Sequence, residues 1–154
     1  MRGRWLPVGV LAGVLFAVNV IARLVTRLGF DGDQEAADRV SLVMFAVLAV
    51  ILAGVAFVQG RRRPVAAWGA DAAVAVLAAM VLTIFVGPFI SGDQPFTNGP
   101  SEFFAQIGFY VVATGVGALL GHLVLTALGR DHRSLALKRY AESRQSRPRR
   151  VVRR

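Results

Sequence analysis

Two ionisable side chains in this sequence, Asp71 and His122, lie inside long apolar segments, where they could exchange a proton. Asp71 follows Arg63 by eight residues and His122 precedes Arg130 by eight residues. If both arginines mark one membrane interface, each side chain is predicted about 12 Å below it, because a helix rises 1.5 Å per residue. A carboxylate–imidazole pair there could relay protons or coordinate a cation. The alternatives are a structural pair, or an ion pair of Asp71 with a loop arginine.

A second polar group consists of Asn19, Arg23 and Arg27, which recur every four residues in the first apolar segment. This spacing places the three side chains on one helix face. They could form an anion-attracting region at the outer end of a helix bundle. Alternatively, the arginines extend to lipid headgroups, or pair with the acidic residues of the first loop or with Glu102 at the outer end of the fourth span. Asn19 is then expected to make an interhelical hydrogen bond.

Motifs for catalysis and cofactor binding are absent from the sequence. It contains no cysteine and two histidines, and it lacks the phosphate-binding loop, the H-E-x-x-H zinc motif and the G-x-S-x-G nucleophile motif. One aspartate and one histidine are too few ligands for a metal site. We therefore expect a non-enzymatic protein without catalytic residues, cofactor or metal.

Small residues recur at a spacing of four in two of the apolar segments. Gly9 and Gly13 form one such pair, and Gly117 and Gly121 form another. Faces of this type let two helix backbones approach closely. We predict that these glycines pack helices within a bundle, and a homo-oligomer is the alternative.

Long apolar segments must position all of these residues. Hydrophobic residues make up 55% of the 154 residues and charged residues 18%, and the charges cluster between the apolar segments. About 20 helical residues cross the ~30 Å of hydrocarbon in a bilayer. The sequence therefore predicts an all-α, polytopic membrane protein, a four-transmembrane-helix bundle within residues 1–129. The predicted spans are residues 5–28, 40–59, 64–90 and 102–129.

The basic residues predict the orientation of the bundle. Arg61, Arg62 and Arg63 form one connection between spans, more than half of all basic residues lie at or after Arg130, and the 91–101 connection has none. Since short basic loops stay on the cytoplasmic side, both termini are predicted there (N-in, C-in). Arg23 and Arg27 do not follow this rule, because the predicted topology places them near the outer surface.

Residues 130–154 are predicted to form a basic cytoplasmic tail, helical to about residue 143 and then disordered. The tail is expected to lie on anionic lipid, and the alternative is that it recruits an acidic cytoplasmic partner. The net charge of +9 is concentrated beside the membrane segments, so we expect no nucleic-acid partner.

The predicted function is that of a small non-enzymatic integral membrane protein, an accessory or assembly subunit of a larger membrane system. Seventeen arginines against one lysine, with many Ala, Val and Gly residues, are typical of a high-GC bacterial genome. The expected location is therefore the plasma membrane, as the inner membrane of a bacterium. The alternative function is a small oligomeric channel or transporter that uses Asp71 and His122.

Overall fold

The computed structural model describes residues 2–30, 33–91 and 99–145. Helices hold 93% of these described residues, and no strand occurs among them. The helices are α1 Arg2–Gly29, α2 Gln34–Arg62, α3 Val65–Phe85, α4 Gly87–Ser91, α5 Gly99–Ala127 and α6 His132–Gln145.

Four helical regions are long and apolar enough to cross a membrane: α1, α2, α3 and the region Gly99–Arg144, which contains α5. Their outer surfaces carry large apolar side chains, and Leu6, Leu42 and Val50 are each at least 70% exposed. Exposed apolar surface on every long helix is typical of helices surrounded by lipid. The prediction of an all-α chain with four membrane-length helices is confirmed.

The third predicted span, residues 64–90, is divided into two helices. α3 ends at Phe85, and the chain resumes as the short helix α4 at Gly87. Pro88 has no N–H to donate to the carbonyl of Ile84, so a continuous α-helix cannot keep its hydrogen-bond pattern at this point. The break lies close to the end of the predicted span, at the pair Gly87-Pro88, which favours the end of a helix.

The closest helix pair is formed by α2 and α5. A Cβ atom built on Gly117 would collide with the backbone of Ala49, and one built on Gly121 would collide with the backbone of Ala53. Both glycines are buried. The two helices therefore touch backbone to backbone, which only residues without side chains permit.

The second major pair is formed by α1 and α3. Their shared core combines branched side chains of α1 with a row of alanines on α3, and Leu15, Ala75 and Ala79 are fully buried. Leu48, Leu52 and Tyr110 belong to the same cluster and join this pair to α2 and α5. Neither pair consists of helices adjacent in the chain.

A single methyl group at Gly121 tests the backbone contact. We expect G121A to lower the free energy of unfolding in detergent by about 1–3 kcal/mol, because the backbone of Ala53 must move. The measurement is unfolding of the full chain followed by circular dichroism.

Gly115 is the matched control, since it lies on the same helix, is exposed and has nothing within 4 Å of its Cβ position. G115A should be neutral or stabilising by up to about 1 kcal/mol, as alanine favours a helix over glycine. Equal losses in both variants would refute the proposed origin of the α2–α5 contact.

Candidate functional site

Polar side chains gather at both ends of the bundle. The basic end contains Arg61–Arg63, the starts of α1 and α3 and the ends of α2 and α5. The opposite end contains the ends of α1 and α3 and the starts of α2 and α5. The predicted pair Asp71 and His122 belongs to the basic end, and the predicted row of Asn19, Arg23 and Arg27 belongs to the opposite end.

Asn19 links α1 to α2 at the opposite end. Its side chain is 2% exposed, and its Nδ2 donates a hydrogen bond to Met44 Sδ at 3.2 Å. Its Oδ1 accepts a hydrogen bond from Arg23 Nε at 3.1 Å. A buried amide at membrane depth is costly unless it is hydrogen-bonded, and both ends of this amide have a partner.

The two arginines of α1 lie against the break between α3 and α4. A Cβ on Gly87 would lie 2.8 Å from Arg23 Nε, so the missing side chain leaves room for the guanidinium group. Arg27 Nη1 donates a hydrogen bond of 2.9 Å to the carbonyl oxygen of Ile90, near the end of α4. Carbonyl groups at a helix end carry partial negative charge, so cations are stabilised there. The side chain of Glu102 lies outside the described residues.

At the basic end, Asp71 lies beside an arginine of the α2–α3 connection. Arg63 Nη1 is 3.3 Å from Asp71 Oδ2, and the two side chains are 50% and 19% exposed respectively. The ion pair of Asp71 with a loop arginine, one of the alternatives considered for this residue, is the arrangement observed. Because the arginine is half exposed, this pair lies at the edge of the bundle.

His122 lies beside Trp68, with ring centroids 6.3 Å apart. His122 Nδ1 and Trp68 Nε1 are both buried and have no hydrogen-bond partner. The two nitrogens lie 3.8 and 3.7 Å from the Cβ position of Gly60. Three helices thus bring two polar atoms to one glycine, with an N–H donor on Trp68 and a ring nitrogen on His122.

A narrow cleft of about 40 Å³ opens at the basic end between α1, α2 and α3. This volume admits more than one water molecule. Asp71 and Trp68 both line the cleft. Trp68 thus lies between the cleft, which contains Asp71, and the ring of His122. The full lining is Pro7, Val8, Leu11, Val55, Gln59, Arg63, Trp68, Asp71 and Ala72.

The two predicted glycine pairs have different surroundings. Gly117 and Gly121 lie in the α2–α5 contact, whereas Gly9 and Gly13 on α1 are exposed and have nothing within 4 Å of their Cβ positions. The α1 pair therefore makes no close helix contact with the described part of the chain.

Several buried polar residues escaped the sequence reasoning. Thr83 and Tyr110 are each 1% exposed, and their hydroxyl groups have no hydrogen-bond partner. Gly60 and Gly87 provide space for polar neighbours, which no spacing motif signals. Alanines at 49 and 53 do show the four-residue spacing of small residues, so the partner face of α5 could have been found.

Comparison with known proteins gives no relative for this chain. No protein-family model, no curated protein and no solved structure matches it. Within residues 2–30, 33–91 and 99–145, no group of three or more His, Asp or Glu side chains could hold a metal ion. The candidate residues are therefore interpreted from their own geometry.

The Asn19–Arg23 hydrogen bond can be measured by a double-mutant cycle. We expect N19A and R23A to be coupled by about 0.5–1.5 kcal/mol in detergent unfolding, the typical net contribution of an intramolecular hydrogen bond, here between two residues of α1. N19A and R27A should be additive, because Arg27 donates to Ile90 instead. Additivity in both cycles would show that the Asn19–Arg23 bond contributes nothing.

Proposed function

We propose that this chain is a non-enzymatic, multi-pass membrane protein that serves as an accessory or assembly subunit of a larger membrane system. The observation that carries the proposal is the open face of α1, where Gly9, Gly13 and Ala17 recur every four residues and are all exposed. The same spacing on α5, at Gly117 and Gly121, is covered by α2.

The contrast between these two faces supports a partner helix. A row of small residues offers lipid chains little surface to contact, but it allows another helix backbone to approach closely. Within this bundle that type of face is used for backbone contact between α2 and α5. By the same physics, α1 can receive a membrane helix of a partner protein.

The charges support an orientation with both termini in the cytoplasm. Arg61–Arg63 and the basic side chains of α6 lie on the same side of the four helices. Positively charged connections favour the cytoplasmic face of the plasma membrane, and the proposed location is the inner membrane of a bacterium.

The basic tail is proposed to contact anionic lipid. α6 carries exposed Leu137 and Tyr140 together with Arg133, Lys138, Arg139 and Arg144. Each basic side chain near an anionic surface contributes about 1 kcal/mol. An acidic cytoplasmic partner for the tail is the competing proposal. Residues 146–154, which hold most of the tail arginines, lie outside the described residues.

Site-specific photo-crosslinking in the host membrane tests the α1 face. A benzoylphenylalanine at position 10, an exposed side chain beside the row of small residues that leaves the glycines unchanged, should give an adduct with one defined membrane protein, identified by mass spectrometry. The same group at position 116, an exposed valine on α5, should give only lipid adducts, because this surface lacks the row of small residues.

Two results would contradict the accessory role. An adduct at position 10 that contains only a second copy of this chain indicates a homo-oligomer. Equal protein adducts at positions 10 and 116 indicate random collision.

A small oligomeric channel or transporter is the second proposal. It is supported by the cleft beside Asp71 and by the two buried nitrogens of Trp68 and His122 that have no hydrogen-bond partner. Polar atoms of this type line or adjoin ion pathways in membrane proteins. Too few polar residues lie on any one helix for a single copy to form a wet pore.

Flux measurements in liposomes distinguish the two proposals. If the channel proposal holds, the purified protein conducts ions in a pH-dependent way, D71N and H122A abolish this dependence, and the exposed control D38N retains it. Flux from the wild-type protein alone would contradict the accessory role. Absence of flux, or unchanged flux in D71N and H122A, would exclude the channel proposal.

A further inference from the structure

We propose that the cleft at the basic end binds one anionic phospholipid, with part of an acyl chain between α1, α2 and α3 and the phosphate group at Arg63. This site is independent of the accessory role and of the basic tail. It has an apolar part and a polar mouth, which together match the shape of an amphiphile.

The apolar part of the cleft lies between helices of membrane length. Its walls include Val8 and Leu11 of α1, Val55 of α2 and Ala72 of α3. Val55 precedes the end of α2 at Arg62 by seven residues, so the cleft reaches about 10 Å below the helix end. In a bilayer, this depth is adjacent to acyl chains, and an acyl chain is the group that fills an apolar cleft there.

The polar mouth of the cleft lies where the chain leaves the membrane-length helices. Gln59 and Arg63 line this part, and the Arg63 side chain contacts Asp71, which lies six residues inside α3. The 3.3 Å contact with Asp71 orients the guanidinium group of Arg63, whose side chain is still 50% exposed. A guanidinium has five N–H donors and binds phosphate in a bidentate manner, so one ion pair leaves donors for a lipid phosphate.

The charges around the mouth favour an anionic headgroup. Three consecutive arginines, Arg61, Arg62 and Arg63, lie at the end of α2, and of these Arg63 lines the cleft, where Asp71 is the one acidic residue of the lining. Arg61 is packed over the ring of Phe57 at 4.6 Å, and neither residue lines the cleft, so the charge of Arg61 acts on the mouth only at longer range. A headgroup with a net negative charge gains from this field, whereas a zwitterionic headgroup gains much less.

Native mass spectrometry of the delipidated full-length protein tests this site. The protein is titrated with phosphatidylglycerol, with phosphatidylcholine of the same acyl chains, and with glycerol phosphate, which has the headgroup chemistry without a chain. Two matched pairs of variants are compared: R63Q with R62Q, and V55F with V58F. Val58 and Arg62 lie on α2 but do not line the cleft.

We expect the wild-type protein to bind one phosphatidylglycerol more tightly than further copies and more tightly than phosphatidylcholine. R63Q and V55F should each weaken this first binding step by about tenfold, as loss of a charge-assisted hydrogen bond or of the apolar space predicts. V58F should change it by less than about twofold, and R62Q, which removes only longer-range attraction, should weaken it clearly less than R63Q does. The double variant R63Q/D71N should be as weak as R63Q, which excludes simple repulsion by Asp71.

Four results would overturn the site. R62Q as damaging as R63Q would indicate only diffuse charge attraction. Unchanged binding in V55F would show that no acyl chain occupies the cleft. If V55F fails to fold, V55L is the smaller side chain that fills the same space. Equal binding of phosphatidylcholine would remove the preference for negative charge, and equal binding of glycerol phosphate would indicate a soluble phosphate ligand.

Discussion

The contact on which the rest of this fold depends is the backbone approach of α5 to α2. Gly117 and Gly121 lie where any side chain would strike the backbone of Ala49 or Ala53. This contact gains dispersion energy without requiring the hydrophobic effect, which contributes little between helices in lipid. The α2–α5 pair then offers a surface of leucines to the alanine-rich α1–α3 pair. Asn19, Asp71 and His122 lie where these two pairs meet, through contacts with Met44, Arg63 and Trp68.

Polar groups at membrane depth impose the second constraint, since each needs a partner within the protein. At the opposite end, the arginines of α1 pack against the break between α3 and α4, and Arg27 donates to a carbonyl group of α4. Gly87 leaves room for Arg23, and the carbonyl of Ile90 accepts from Arg27. At the basic end, by contrast, Trp68 and His122 bring nitrogens without hydrogen-bond partners to Gly60. The hydroxyl group of Thr83, near the end of α3, also lacks a hydrogen-bond partner, but the basic end brings two such atoms to one glycine and so has capacity for a further polar group.

The sequence was sufficient to predict the four membrane-length helices, because uninterrupted apolar length is the property that a bilayer requires. It also predicted that Asn19, Arg23 and Arg27 share a helix face, which follows from a spacing of four. It could not predict which face meets which helix. Their similar predicted depth suggested that Asp71 and His122 form a pair, but depth along a helix does not determine which way each side chain points around it. The rotation of α3 and α5 determines that Asp71 lies beside Arg63 and His122 beside Trp68. The space at Gly60 and Gly87 likewise depends on neighbours distant in the chain.

The pairing of α2 with α5 has a consequence for synthesis in the cell. Ala53 leaves the ribosome 68 residues before its contact residue Gly121. At about 5–20 residues per second, α2 waits on the order of ten seconds for the helix that covers it. During this interval the face of α2 that carries Ala49 and Ala53 has no α5 to cover it. Any mispairing of this face with another apolar helix must therefore occur before the second half of the chain is translated.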